Sequence, residues 1–323
     1  MVKHLYIMGM NAQRLETSRL LQRFGFGPRP GEYAQAIKDG VEATRAKVLT
    51  VPASDAGAAK VAEPEITDLG KRPAANSKEI VPFSIALRNQ TQQMSLWWLD
   101  RMAMSDHGLT ERMTWFWHGH WATSIQKLNY AMPMFKQNKT LRANCLGNFK
   151  TMSRAMINDA ALQFWLDGQE STAKAPNENL GRELMELFVL GVGRYTEDDV
   201  KASARALTGY QVEKSSGAIT FNAKRYDSKP VTILGTTQVF TGDTLSDFLV
   251  ARDDNATFIA ERLWYRFISS TEDMPKSFSA KSALANRDIA AAVAAMVNDP
   301  AMRDSKNDLV KSPVEWFIAA CRA

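Results

Sequence analysis

Residues 177–209, NENLGRELMELFVLGVGRYTEDDVKASARALTG, decide the fold class of this chain. Asn177 suits a helix N-cap, because its amide oxygen can accept from a free backbone N–H of the first turn. GRELMELFVL then fills a helix whose apolar side carries Leu184, Leu187, Phe188 and Val189. Gly191 and Gly193 can end it, since glycine tolerates the left-handed backbone of a helix stop. Thr196 with Asp199 resembles a capping box, Asp standing for the usual Glu, and opens TEDDVKASARALTG as the next helix.

The same period runs outward through most of the chain. In residues 12–50, Leu15, Leu20, Leu21 and Phe24 mark one helix, and Pro30 suits the start of another. From residue 83 onward Leu87, Met94, Trp97, Trp98 and Met102 fall at core-like spacing. LTERMTWFWHGHWATS follows, with Thr110 or Ser105 as its expected cap. Only YQVEKSSGAITFNAKRYDSKPVTILG alternates as strands do, in two short runs about SSG. There is no internal repeat, no βαβ rhythm and no glycine-rich phosphate loop. The fold class expected is mainly α, a helical domain with one small β-hairpin around residues 210–235. N-terminal helices are expected over 1–51. A surface linker or strap is expected over 52–80, where Ala, Pro, Gly and charges replace aromatics. The main helical domain, with the hairpin as an insertion, is expected over 81–323.

The chain has 323 residues, 45% of them apolar, which is enough for a sizeable core. The formal charge of +5 is spread along the sequence, so no basic stripe points to nucleic acid. Two distant cysteines form neither a metal spacing nor a disulfide framework. No apolar run approaches the ~18 residues of a transmembrane segment, and the short apolar patch at the start lacks a signal-peptide pattern. The sequence as given therefore carries no targeting signal, and the cytoplasm is the default compartment.

Four stretches can carry chemistry. TWFWHGHW places His118 and His120 among three tryptophans. Residues two apart on a helix point about 200° from each other, so the pair can share a metal only at a helix end, which Gly119 permits. The alternatives are rings bonded to backbone or carboxylates within an aromatic layer, and acid–base use. On the 177–190 helix, Asn179, Glu183 and Glu186 share one face, beside an i, i+4 pair of Glu178 and Arg182. That face is either a solvated stripe or the partner of a histidine across a helix pair, in which case His120 and Glu183 are the candidate ligands of a divalent metal. Asp227 and Lys229 in KRYDSKPVTILG suit either turn chemistry or an anion. Arg205 can reach a carboxylate such as Glu183.

With these residues in view, the chain resembles the bacterial domain-of-unknown-function family numbered 1800. The resemblance rests on RLLQRFGFGPRPGEY, WWLDRMAMS, ERMTWFWHGHWATS, the 177–210 stretch, VTILG, IAERLWYRF and SPVEWF, in that order, from residue 15 to 318. It implies a largely helical protein, often exported, often encoded beside a family that resembles sulfatases, and no particular reaction. It also implies a shared site of His118, His120, Asn177, Asn179, Arg182 and Glu183. Two departures stand out. Tyr226–Asp227 occupies the place where many members have His-Asp, which puts a metal in doubt. The family also usually continues beyond the point where this sequence stops. A shortened homologue, or one whose last subdomain comes from elsewhere, is expected to present Trp316, Phe317 and Ile318 on its last helix to a protein partner.

Two functions follow. One is an enzyme with His118, His120, Asn179, Arg182 and Glu183 as catalytic residues, performing metal-assisted hydrolysis or oxidation. Asn177, Arg205, Asp227 and Lys229 would then hold the ligand. The other is a non-catalytic scaffold or assembly subunit in which the same residues lock helices together.

Overall fold

The computed structural model describes residues 2–323, with side chains described from residue 12. The chain is mainly helical and divides into two compact units. The first comprises Met1–Ala62, Trp97–Phe116 and Ile259–Ala323, and the second Glu63–Leu96 and Trp117–Phe258.

In the first unit the helices Val2–Arg23, Glu32–Asp39 and Val41–Leu49 precede a short turn of helix at Ala56–Ala59. Phe26, Met102 and Ile318 form one buried cluster, flanked by Trp98, Trp115 and Val314. Phe24 stacks on Phe267 at 5.5 Å. The buried Glu16 carboxylate meets Arg45 and, at 2.9 Å, Arg303. The last helix, Pro313–Arg322, opens with a capping box of Ser312 and Glu315. Ile318 on it is fully buried, because a helix that packs one stripe must turn every third or fourth residue inward. It therefore departs from the expected exposed trio, while Trp316 and Phe317 lie on the outer side, 65% and 49% exposed.

Within residues 52–62 of the expected strap, Asp55 caps the Ala56–Ala59 turn. Its carboxylate also accepts from Ser105 Oγ (2.6 Å) and from the backbone N–H groups of Asp106 and His107. Ser105 is thus spent on Asp55, and Thr110 lies inside the Leu109–His120 helix rather than at its cap.

The second unit holds helices Ala131–Asn144, Phe149–Ile157, Ala160–Trp165, Glu178–Glu183, Glu197–Ala206 and Gly242–Ala251. The Glu178–Glu183 and Glu197–Ala206 helices cross at Gly181, where a Cβ would stand 3.1 Å from Ala204 N. Strands β1 (Tyr210–Glu213) and β2 (Ala218–Phe221) form the expected antiparallel hairpin. A second hairpin follows, β3 (Val231–Ile233) with β4 (Thr236–Gln238), so the β region extends past residue 235. Leu234 (φ 48°) and Gly235 (φ 81°) make its two-residue turn, in the left-handed pair of conformations that suits strand twist. Asp199 of the Thr196 capping box accepts from Leu234 N at 2.6 Å and ties this hairpin to the helix.

Candidate functional site

Asn177 caps its helix as expected, its side chain accepting from Asn179 N at 2.9 Å. From Leu184 to Val189 the helix widens into a π-helical segment. Such segments are rare and often accompany functional sites. Leu190 N and Gly191 N both reach back to Met185 O (2.9 and 3.0 Å), and Gly191 turns the chain at φ 93°. The last carbonyls of a helix need partners from outside it. His120 Nε2 lies 2.9 Å from Phe188 O, and buried Asn255 Nδ2 donates to Val189 O at 2.9 Å. A carbonyl only accepts, so Nε2 carries the proton. Around the His120 ring stand Trp117, Trp121, Phe149, Phe188 and Phe258, with centroids 5.3–6.2 Å away. Trp117 Nε1 donates to Cys145 O.

His118, on the other side of exposed Gly119, is half-buried, and burial pulls its pKa down to about 4. Its ring is neutral at physiological pH.

Arg182 grips both oxygens of Glu197 (2.7 and 2.8 Å) and reaches Glu178 at 3.1 Å, the i, i+4 pair expected from spacing. Asn179 is exposed. Glu183 is half-buried and forms no hydrogen bond or ion pair among the described residues. Burial and the charge of Glu186 raise its pKa from the ordinary value, against the opposing pull of Arg182. Glu186 accepts from the Tyr195 hydroxyl. Tyr195 is a neighbour that spacing did not indicate, because the GVG turn folds it back onto the helix. Arg205 pairs with Asp227 at 2.6 Å. Asp227 also accepts from Lys229 N (3.1 Å), a turn bond of the kind expected there, while exposed Lys229 is held through its backbone.

The structure thus brings His120 to the π-helical carbonyls, Arg182 to Glu178 and Glu197, Glu183 to Glu186, and Arg205 to Asp227. A metal is a poor fit. The Nε2 of His120 that faces Phe188 O has no lone pair to offer, which leaves Nδ1 as its one ligand atom. Among the described residues, no three His, Cys, Asp or Glu side chains gather as a metal would require.

No helix among the described residues is long and apolar enough to cross a membrane. Neither a curated protein nor a solved structure matches the chain. A family model does match, over residues 19–323, under the description "Protein of unknown function (DUF1800)". The chain therefore belongs to the DUF1800 family.

Proposed function

We propose that the chain is an enzyme of acid–base type, in which Glu183 transfers a proton and the Glu186–Tyr195 pair sets its charge environment. One observation carries this reading: a half-buried carboxyl without a hydrogen-bond partner among the described residues, raised in pKa, beside a second carboxylate. A carboxyl raised by burial and by a neighbouring carboxylate holds its proton more firmly than an isolated one, which suits it to general acid–base catalysis. Hydrolysis is the simplest reaction that fits, and no step here runs through a metal. Arg182 ties the Glu178–Glu183 helix to Glu197 at the start of the next helix. His120 acts as a positioning residue through Phe188 O.

The test is turnover of chromogenic esters, phosphoesters and glycosides by the purified chain, compared with Glu183→Gln. The reading expects turnover that falls about 100-fold or more in Glu183→Gln, within the usual contribution of one acid–base group. Turnover that survives the substitution refutes it, and so does inactivity of the wild type together with full rescue of a deletion strain by Glu183→Gln.

A second reading, a scaffold with a protein partner at the C-terminal helix, is favoured by exposed Trp316 and Phe317. Trp316→Ser with Phe317→Ser would then abolish co-purification of a partner from the native source while Glu183→Gln leaves it intact.

A further inference from the structure

The first unit contains a cleft of about 530 Å³, lined by parts of the chain far apart in sequence. Five cations face it, Arg19, Arg23, Arg112, Arg266 and Lys311, against two carboxylates, Asp308 and Glu315. The two carboxylates are already engaged, Asp308 with Arg19 at 3.5 Å and Glu315 with Arg112 at 2.6 Å. Arg23, Arg266 and Lys311 form no ion pair among the described residues. Residues 1–11 contain no Asp or Glu, so they offer no carboxylate to the excess cations.

Three of these guanidinium groups are held in place by backbone carbonyls. Arg19 donates to Met302 O and Asp304 O, Arg23 to Ile268 O and Asn307 O, and Arg112 to Arg23 O. Carbonyls fix the groups without neutralising them. Burial and the neighbouring Arg19 charge pull Arg23 down to about 9 and Asp308 offsets this only in part, so assembling five cations against two carboxylates costs free energy. Oriented guanidinium groups in a partly desolvated cleft match the bidentate geometry of oxyanions. Tyr265 and Arg266 of the cleft wall belong to Trp264–Ile268, the second π-helical segment among the described residues. Four of the stretches that carry the family resemblance meet here: RLLQRFGFG, ERMTWF, LWYRF and SPVEWF.

We propose that this cleft binds a phosphate-bearing small molecule, its phosphate on Arg23, Arg266 and Lys311 and its organic body along Tyr265 and Leu309. Ser270 and Thr271 supply hydroxyls for the remaining phosphate oxygens. The volume exceeds that of an inorganic ion and lies in the range of organic ligand pockets. The same phosphate chemistry occurs on a soluble phosphomonoester and on a lipid headgroup.

Both sources can be separated with the full chain. Isothermal titration calorimetry with inorganic phosphate and with phenyl phosphate reads the soluble arm. Co-sedimentation with phosphatidylcholine vesicles doped with phosphatidic acid reads the lipid arm. Arg266→Ala and Lys311→Gln are the test variants, both checked for folding by circular dichroism. Lys276→Ala, exposed in the same unit, is the control. One saturable site is expected, tighter for phenyl phosphate than for phosphate. Each test variant should weaken it roughly ten-fold, the loss expected for one charge-assisted hydrogen bond, and the control should not. Vesicle binding lost in the same variants would identify a lipid headgroup, and binding of the soluble probes alone a free phosphomonoester. No saturable binding of any probe overturns the proposal, as does binding unchanged in both test variants.

Discussion

The imidazole Nε2 of His120 lies 2.9 Å from the carbonyl oxygen of Phe188, and this bond closes the end of a π-helical segment. The histidine is buried, so the carbonyl it serves has no water to turn to. His120→Ala is expected to leave that carbonyl unpaired and a void among five aromatic rings. The loss should be about 2–4 kcal/mol in urea unfolding. A loss under about 0.5 kcal/mol would mean that the bond is not structural.

His118 is expected to make the second unit acid-sensitive. Its folded pKa of about 4 lies below the ordinary 6.5. The unfolded chain therefore binds the proton more readily, and the contribution is present above pH 6.5 and lost as pH falls toward 4. Because the residue keeps some exposure, the effect is on the order of 1–2 kcal/mol. His118→Gln should flatten the fall in melting temperature between pH 6.5 and 4, and an unaltered profile would count against this assignment.

Asp159 works in the opposite direction. It caps the Ala160–Trp165 helix through Leu162 N and accepts from Gln137 Nε2 at 2.6 Å. Gln137 in turn accepts from Thr123. Burial raises the Asp159 carboxyl from 3.8 to about 7. The folded state then holds a proton that the unfolded chain has released. This stability is complete below pH 3.8 and is lost as pH rises through about 7, with a size on the order of 2–4 kcal/mol. Asp159→Asn keeps the capping oxygen and should be more stable than wild type at pH 8 but not at pH 4. Equal differences at both pH values would refute the shift.

Gly181→Ala tests the helix crossing. Alanine favours a helix interior over glycine by about 1 kcal/mol. Here its Cβ would meet Ala204 N at 3.1 Å and Ser203 Cβ at 3.2 Å, so two helices must separate. A net loss of about 1–2 kcal/mol is expected from overpacking. Chemical denaturation that finds the variant stabilised would mean that the crossing yields easily.

Much of the local structure is legible in single residues. The Asn177 cap, the Thr196–Asp199 box, the turn at Gly191 and the β1–β2 hairpin follow from chemistry that acts over three to five residues. The second hairpin is not legible in the sequence, because its turn uses Leu234, a residue type that rarely takes a positive φ, held there by the Asp199 contact to its N–H. Of the candidate residues, the Glu178–Arg182 pair was readable from i, i+4 spacing, and Tyr195 on Glu186 was not.

Helix positions, the Asn177 and Thr196 caps and family membership follow from the sequence alone, because these depend on neighbours in the chain and on motif order. Tertiary structure decided the use of each polar group. His120 and Arg112 lie eight residues apart on one helix. His120 donates to a carbonyl of the Leu184–Val189 segment, and Arg112 to the carbonyl of Arg266 in the Trp264–Ile268 segment. Arg19, Arg23, Arg112, Arg266 and Lys311 are scattered over nearly the whole sequence and converge only when the first unit packs. A donor's partner is set by which carbonyls a helix end leaves unpaired nearby, and that is a property of three-dimensional packing.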